Sequence, residues 1–146
     1  IVVCVIMWII WNKTQLGKNM YAIGGNIEAA EVSGVNIVKN ILIIFLISGI
    51  LYGLVGYLEA ARVGSTTSNT GLNYDLDAIS ASVIGGVSFS GGIGTIPGVI
   101  IGAIILQFIN YGLAYVGVNP NYQYIIKGLI IILAVAIDVR KYIKRK

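Results

Sequence analysis

Histidine is absent from these 146 residues, and there is a single cysteine, Cys4. A disulfide framework within the chain is excluded, and the lone thiol reads as a small buried hydrophobe. With no His, no HExxH and no CxxC, a zinc site, a Ser/His/Asp triad and metal-dependent intramembrane proteolysis all lack their parts. No GxxxxGK[ST] phosphate loop occurs, and Gly92-Ile-Gly94 lacks the third glycine and the preceding strand of a dinucleotide fingerprint. Charge is scarce as well. Only 11% of residues are charged, against about a quarter in ordinary soluble domains. Basic residues cluster only in the last seven positions, so the chain offers no solvated face for nucleic acid.

What fills the space is hydrocarbon. Hydrophobic residues make up 57% of the chain, and mean hydropathy is +0.87. Runs such as ILIIFLISGILYGLVGYL at 41–58 and IIKGLIIILAVAI at 125–137 are too apolar for a water-facing surface. The chain reads as an all-α, polytopic integral membrane protein, a helical bundle. Ile1 opens inside the apolar run IVVCVIMWIIW. That run has no basic n-region and no small-residue cleavage site, and reads as the end of a span begun upstream.

The basic residues assign sides. Lys13, Lys18 and Lys39 belong to segment 12–40, and Arg140, Lys141, Lys144, Arg145 and Lys146 to the tail. Arg62 stands alone in 59–77. The positive-inside rule puts the loop 13–37 and the tail 139–146 in the cytoplasm and 59–77 outside, with Trp8 and Trp11 at an aromatic interface. Segments 1–12 (truncated), 38–60, 78–90, 96–116 and 121–138 are the expected membrane pieces. Three crossings after residue 77 satisfy parity. The piece 78–90 is short for a full crossing, so a broken or re-entrant helix is allowed where protein surrounds it.

GGVSFSGGIGTIPG, 85–98, holds six glycines. It fits close helix packing around a tight turn, or a hinge beside a transport pathway. Gly49, Gly53 and Gly56 on one span, and Gly98 and Gly102 on another, form small-residue faces for backbone approach. Polar groups are few enough to name. Glu59 and Arg62 stand three apart and can pair. Asp75 and Asp77 flank a helix start, with Asp77 the expected cap. Gln107, Asn110, Tyr111 and Tyr115 recur at spacings of three and four. They serve either interhelical hydrogen bonding or a sugar-sized pathway. Lys127 lies two turns into the last span, able to snorkel or to pair with an acid. No acid sits clearly mid-span, so a proton-coupled carrier has no evident relay.

The exception to the apolar pattern is GGNIEAAEVSGVN, 24–36. Asn26 is a strong N-cap, Glu28 lies in the first turn, and Gly34 stands where a left-handed residue ends a helix. The pattern predicts about two helical turns over 27–33, with Ala29, Ala30 and Ser33 as a small, smooth face. A helix this short is marginal without packing, so the rest of the protein or a partner must receive it.

AIGGNIEAAEVSGVN resembles the cytoplasmic coupling loop of bacterial sugar ABC-transporter permeases of the ribose/galactose branch. The likeness continues through LEAARVGSTTSNTGLNYDLDAI and NYGLAYVGVNPNYQYIIKG, which are most similar to galactose/methyl-galactoside permeases. It covers nearly the whole chain, corresponding to roughly the C-terminal half of such a permease. Ile27 and Asn73 depart mildly from the family pattern. The resemblance implies half of a bacterial inner-membrane dimer in lipid, moving a monosaccharide. A second permease copy, two cytoplasmic ABC ATPase subunits carrying ATP-Mg, and an extracytoplasmic sugar-binding protein would be its partners, with no cofactor in this chain. It also implies that Gly25, Asn26, Glu28, Ala29, Ala30, Ser33 and Gly34 couple to the ATPase. Arg62, Tyr74 and Asp75, with Glu59 beside them, would lie near the binding protein. Ribose or xylose permeases share the scaffold. An ATP-independent carrier or channel, and a scaffold without a pathway, are the readings from other classes.

Overall fold

The computed structural model describes the backbone of residues 1–143 and the side chains of 1–136. Among the described residues all regular structure is helical: α1 Val2–Lys13, α2 Gln15–Gly25, α3 Ile27–Val32, α4 Ile37–Val63, α5 Tyr74–Ile84, α6 Ile96–Tyr115 and α7 Pro120–Ile143. Two of them, α4 and α6, are long and apolar enough to cross a membrane, while α1 and the Pro120–Ala136 part of α7 are shorter apolar helices. Together with the composition, this is a membrane helical bundle.

The helix ends follow local chemistry. Thr14, Asn26, Asn36 and Thr95 each cap a helix by accepting a hydrogen bond from a first-turn N–H. Gly34, Gly86 and Gly117 take the left-handed conformation just past α3, α5 and α6. At each, the 6→1 and 5→2 backbone bonds of a Schellman stop are present, as in Val35 N–H to Ala30 O (3.1 Å) and Gly34 N–H to Glu31 O (2.9 Å).

Several expected boundaries move. The segment 13–37 is not one short helix in a loop, because α2 precedes α3 and the two share Asn26 as C-cap and N-cap. The expected piece 78–90 is helical over 74–84, since Gly85 and Gly86 stop it. Eleven residues at 1.5 Å each give about 16 Å, well short of a ~30 Å hydrocarbon core. Asp77 does not cap α5: Asn73, itself at φ 64°, is the N-cap and makes no side-chain cap bond. Finally, α7 continues to Ile143, so the backbone of Arg140 and Lys141 is helical, while Lys144, Arg145 and Lys146 lie outside the described residues.

The best-packed pair is α5 with α6. The two run antiparallel with glycine at their crossing: a Cβ on Gly85 or Gly98 would strike the other's backbone, and one on Gly102 would overlap Ala81 O. Gly98 and Gly102 are thus a packing face within the bundle. By contrast, Gly49, Gly53 and Gly56 meet nothing among the described residues. Next in extent is α5 against α7, and α2 bridges α1, α3 and α4.

Candidate functional sites: a braced short helix and two polar clusters

The short helix α3 is built as its sequence dictates. Ala29 N–H donates to Asn26 Oδ1 (3.0 Å), and Ser33 Oγ–H donates to Ala29 O (2.8 Å). α3 packs on α2 and on the start of α4. Ala30 is its buried residue, 3% exposed. This corrects the expected smooth face: Ala30 belongs to the interior seam and is not presented beside Ala29 and Ser33. The outward face instead carries Ile27, Glu28, Glu31 and Val32, with Val32 91% exposed. The turn angle of 100° per residue explains the split, since it puts Ala30 opposite the sector shared by Glu28 and Val32. Gly25 and Gly34 are exposed at the two ends.

The support beneath α3 was not legible as a site. At its start, α2 packs so tightly that a Cβ on Gly17 would overlap the Trp11 backbone. Asn19 Nδ2 donates to Asn40 Oδ1 (3.2 Å), and Asn40 is buried at the head of α4. At its far end, Gly24 lies against the backbone of Gly91 and Gly92, and Tyr21 O–H donates to Gly94 O (2.6 Å). The only available signal was the pairing of glycine doublets at 24–25 and 91–92, and nothing in a sequence shows which doublets meet.

The second cluster joins α4 to α5. Arg62 Nη2 pairs with Glu59 Oε1 at 2.7 Å, as their spacing implies. Tyr74 O–H donates to the same oxygen at 2.9 Å. One carboxylate therefore ties the end of α4 to the start of α5 across the 64–73 loop. Exposed Arg62 makes the pair worth little to stability by itself. Asp75 is exposed in the first turn of α5.

The third lies between α5 and α7. Lys127, 7% exposed, is ion-paired with Asp77 and sits 5.7 Å from the Tyr124 ring centroid. Of the two fates the sequence allowed Lys127, it takes pairing. One turn along α5, Ser80 is fully buried with no partner for its Oγ among the described residues, and Asn110 Oδ1 on α6 is likewise enclosed without one among them. The expected polar stripe of α6 is divided: Asn110 is half-buried, whereas Gln107, Tyr111 and Tyr115 are exposed. Among the described residues no cluster of His, Cys, Asp and Glu could hold a metal ion.

The described residues form a membrane helical bundle in which a capped, braced six-residue helix lies between apolar helices. Residues 1–135 match the family described as branched-chain amino acid transport system / permease component, and the chain belongs to that family. It is 61% identical over 145 residues to the galactose/methyl galactoside import permease protein MglC of Haemophilus influenzae, covering 99% of this chain and 43% of that protein. It is 48% identical over 126 residues to the xylose transport system permease protein XylH of the same organism, covering 86% and 34%. It is 45% identical over 134 residues to the ribose import permease protein RbsC of Escherichia coli, covering 92% and 42%. The chain thus spans less than half the length of these curated relatives. No solved structure matches it.

Proposed function

We propose that this chain is part of the membrane permease subunit of a binding-protein-dependent ABC importer for galactose and methyl galactosides. The observation that carries the sugar is the 61% identity, over 99% of this chain, to the galactoside permease of Haemophilus influenzae. In this reading a second permease copy completes the pathway in a bacterial inner membrane. α3 faces the cytoplasm together with the C-terminal end of α7, as the Lys and Arg distribution favours. A separate ABC subunit hydrolyses ATP-Mg and receives the outward face of α3. The Glu59–Arg62–Tyr74 cluster, with Asp75 beside it, lies on the opposite side, where a sugar-loaded binding protein would dock. Gln107, Asn110, Tyr111 and Tyr115 are the candidate lining of the pathway, presenting hydroxyl and amide groups suited to sugar hydroxyls.

The chemistry of α3 suits its role. Its exposed Ile27 and Val32 supply apolar area, while Glu28 and Glu31 supply charge for a basic rim. A two-turn helix held by caps at both ends passes on displacement better than a loop. The test is uptake by the full-length permease reconstituted with its ATPase and binding protein. Galactose should accumulate only with ATP and loaded binding protein, and at least about tenfold faster than ribose. Uptake without ATP would support a carrier or channel, and faster ribose entry would move the assignment within the branch.

A further inference from the structure

We infer that the glycine seam between α2 and the 86–95 segment, closed by the Tyr21–Gly94 hydrogen bond, is the joint that passes movement of α3 into the α5–α6 hairpin. The inference rests on the permease reading above and adds positioning residues to it: Tyr21, Gly24, Gly91 and Gly92.

The structure leaves few other routes. α3 touches α2 and α4, while α5 and α6 carry the polar groups deep in the bundle. One residue, Asn26, ends α2 and begins α3, so no slack linker separates them. α2 then meets the 86–95 segment backbone to backbone. A Cβ on Gly24 would fall on Gly92 N, and one on Gly91 would fall on Gly24 O. Gly91 and Gly92 also hold φ of 90° and 69°, where side-chain-bearing residues are strained. Two independent demands, space and conformation, thus select glycine at this contact. A seam of bare backbone has no rotamers to absorb a push. Tyr21 O–H on Gly94 O, at 2.6 Å, stops it sliding. Beyond the seam, Ser88 N–H to Ile93 O (3.0 Å) closes the segment on itself. The tight Gly85–Gly98–Gly102 crossing then makes α5 and α6 one body, and the Asp77–Lys127 pair extends that body to α7.

The test uses the full-length permease, ATPase and binding protein in proteoliposomes, reading ATP hydrolysis and galactose uptake on the same preparation. Tyr21→Phe removes one oxygen and no packing volume, and Gly24→Ala opens the seam. The expected result is ATP hydrolysis still stimulated by loaded binding protein to within about twofold of wild type, with sugar moved per ATP reduced about tenfold. Should Gly24→Ala fail to insert, Tyr21→Phe decides alone. Uptake per ATP unchanged overturns the inference, and so does a parallel fall of hydrolysis and uptake, which marks a purely structural contact. A wild-type assembly without ATP-driven galactose uptake overturns the permease reading and this inference with it, and is told apart by the control alone.

Discussion

Replacing Asp77 by Asn is expected to destabilise the bundle by about 3 kcal/mol, because it leaves the Lys127 ammonium buried without its counter-charge. The value sits at the low end of the usual range since the Asp77 side chain keeps 34% of its exposure and can be partly solvated. The double variant Asp77→Leu with Lys127→Met is expected to recover most of that loss. A buried ion pair gains little over well-packed hydrocarbon of similar volume, whereas half of one is costly. The measurement is chemical or thermal unfolding of the full-length permease in detergent, comparing single and double variants. A double variant no more stable than Asp77→Asn would show that the pair is worth more than its desolvation cost, contrary to this account.

Ala30→Arg is expected to lose the folded α2–α3 unit altogether. Ala30 is 3% exposed on a six-residue helix that packing must sustain. A guanidinium forced into that seam must either stay buried without a partner or lever α3 off α2 and α4, and either costs several kcal/mol. Limited proteolysis of the membrane-inserted permease should show cleavage within 24–36 at protease levels that leave wild type intact. Val32→Arg, two residues on, on the opposite face and 91% exposed, should leave the pattern unchanged. Equal protection of both variants would mean that Ala30 is not held in the seam.

Much of this was legible from local chemistry. The caps at Asn26 and the stop at Gly34 depend on residues three to five apart, and the Glu59–Arg62 pair depends on one helical turn. Those distances are written in the sequence. Ala30 was misplaced for a reason of rotation: small residues look alike on either side of a helix until its neighbours are known. Asp77 looked like a cap because acids favour helix starts, but its partner Lys127 is fifty positions on and pairs with it across α5 and α7. The same applies to Tyr21 and Gly94, and to Tyr74 and Glu59. α2 was hidden because Gly17, Gly24 and Gly25 argue against a helix by propensity. It forms because Gly17 and Gly24 permit backbone contacts that no larger residue would allow.

The most direct test of the central claim, that the outward face of α3 joins ATP hydrolysis to transport, is Val32→Arg in the full-length permease. The reading is co-purification of the ATPase subunit and its hydrolysis in response to galactose plus binding protein. The account expects a permease that folds and inserts normally but has lost the ATPase or its response. An ATPase that binds and responds as before would contradict it, and the docking surface would then lie away from α3.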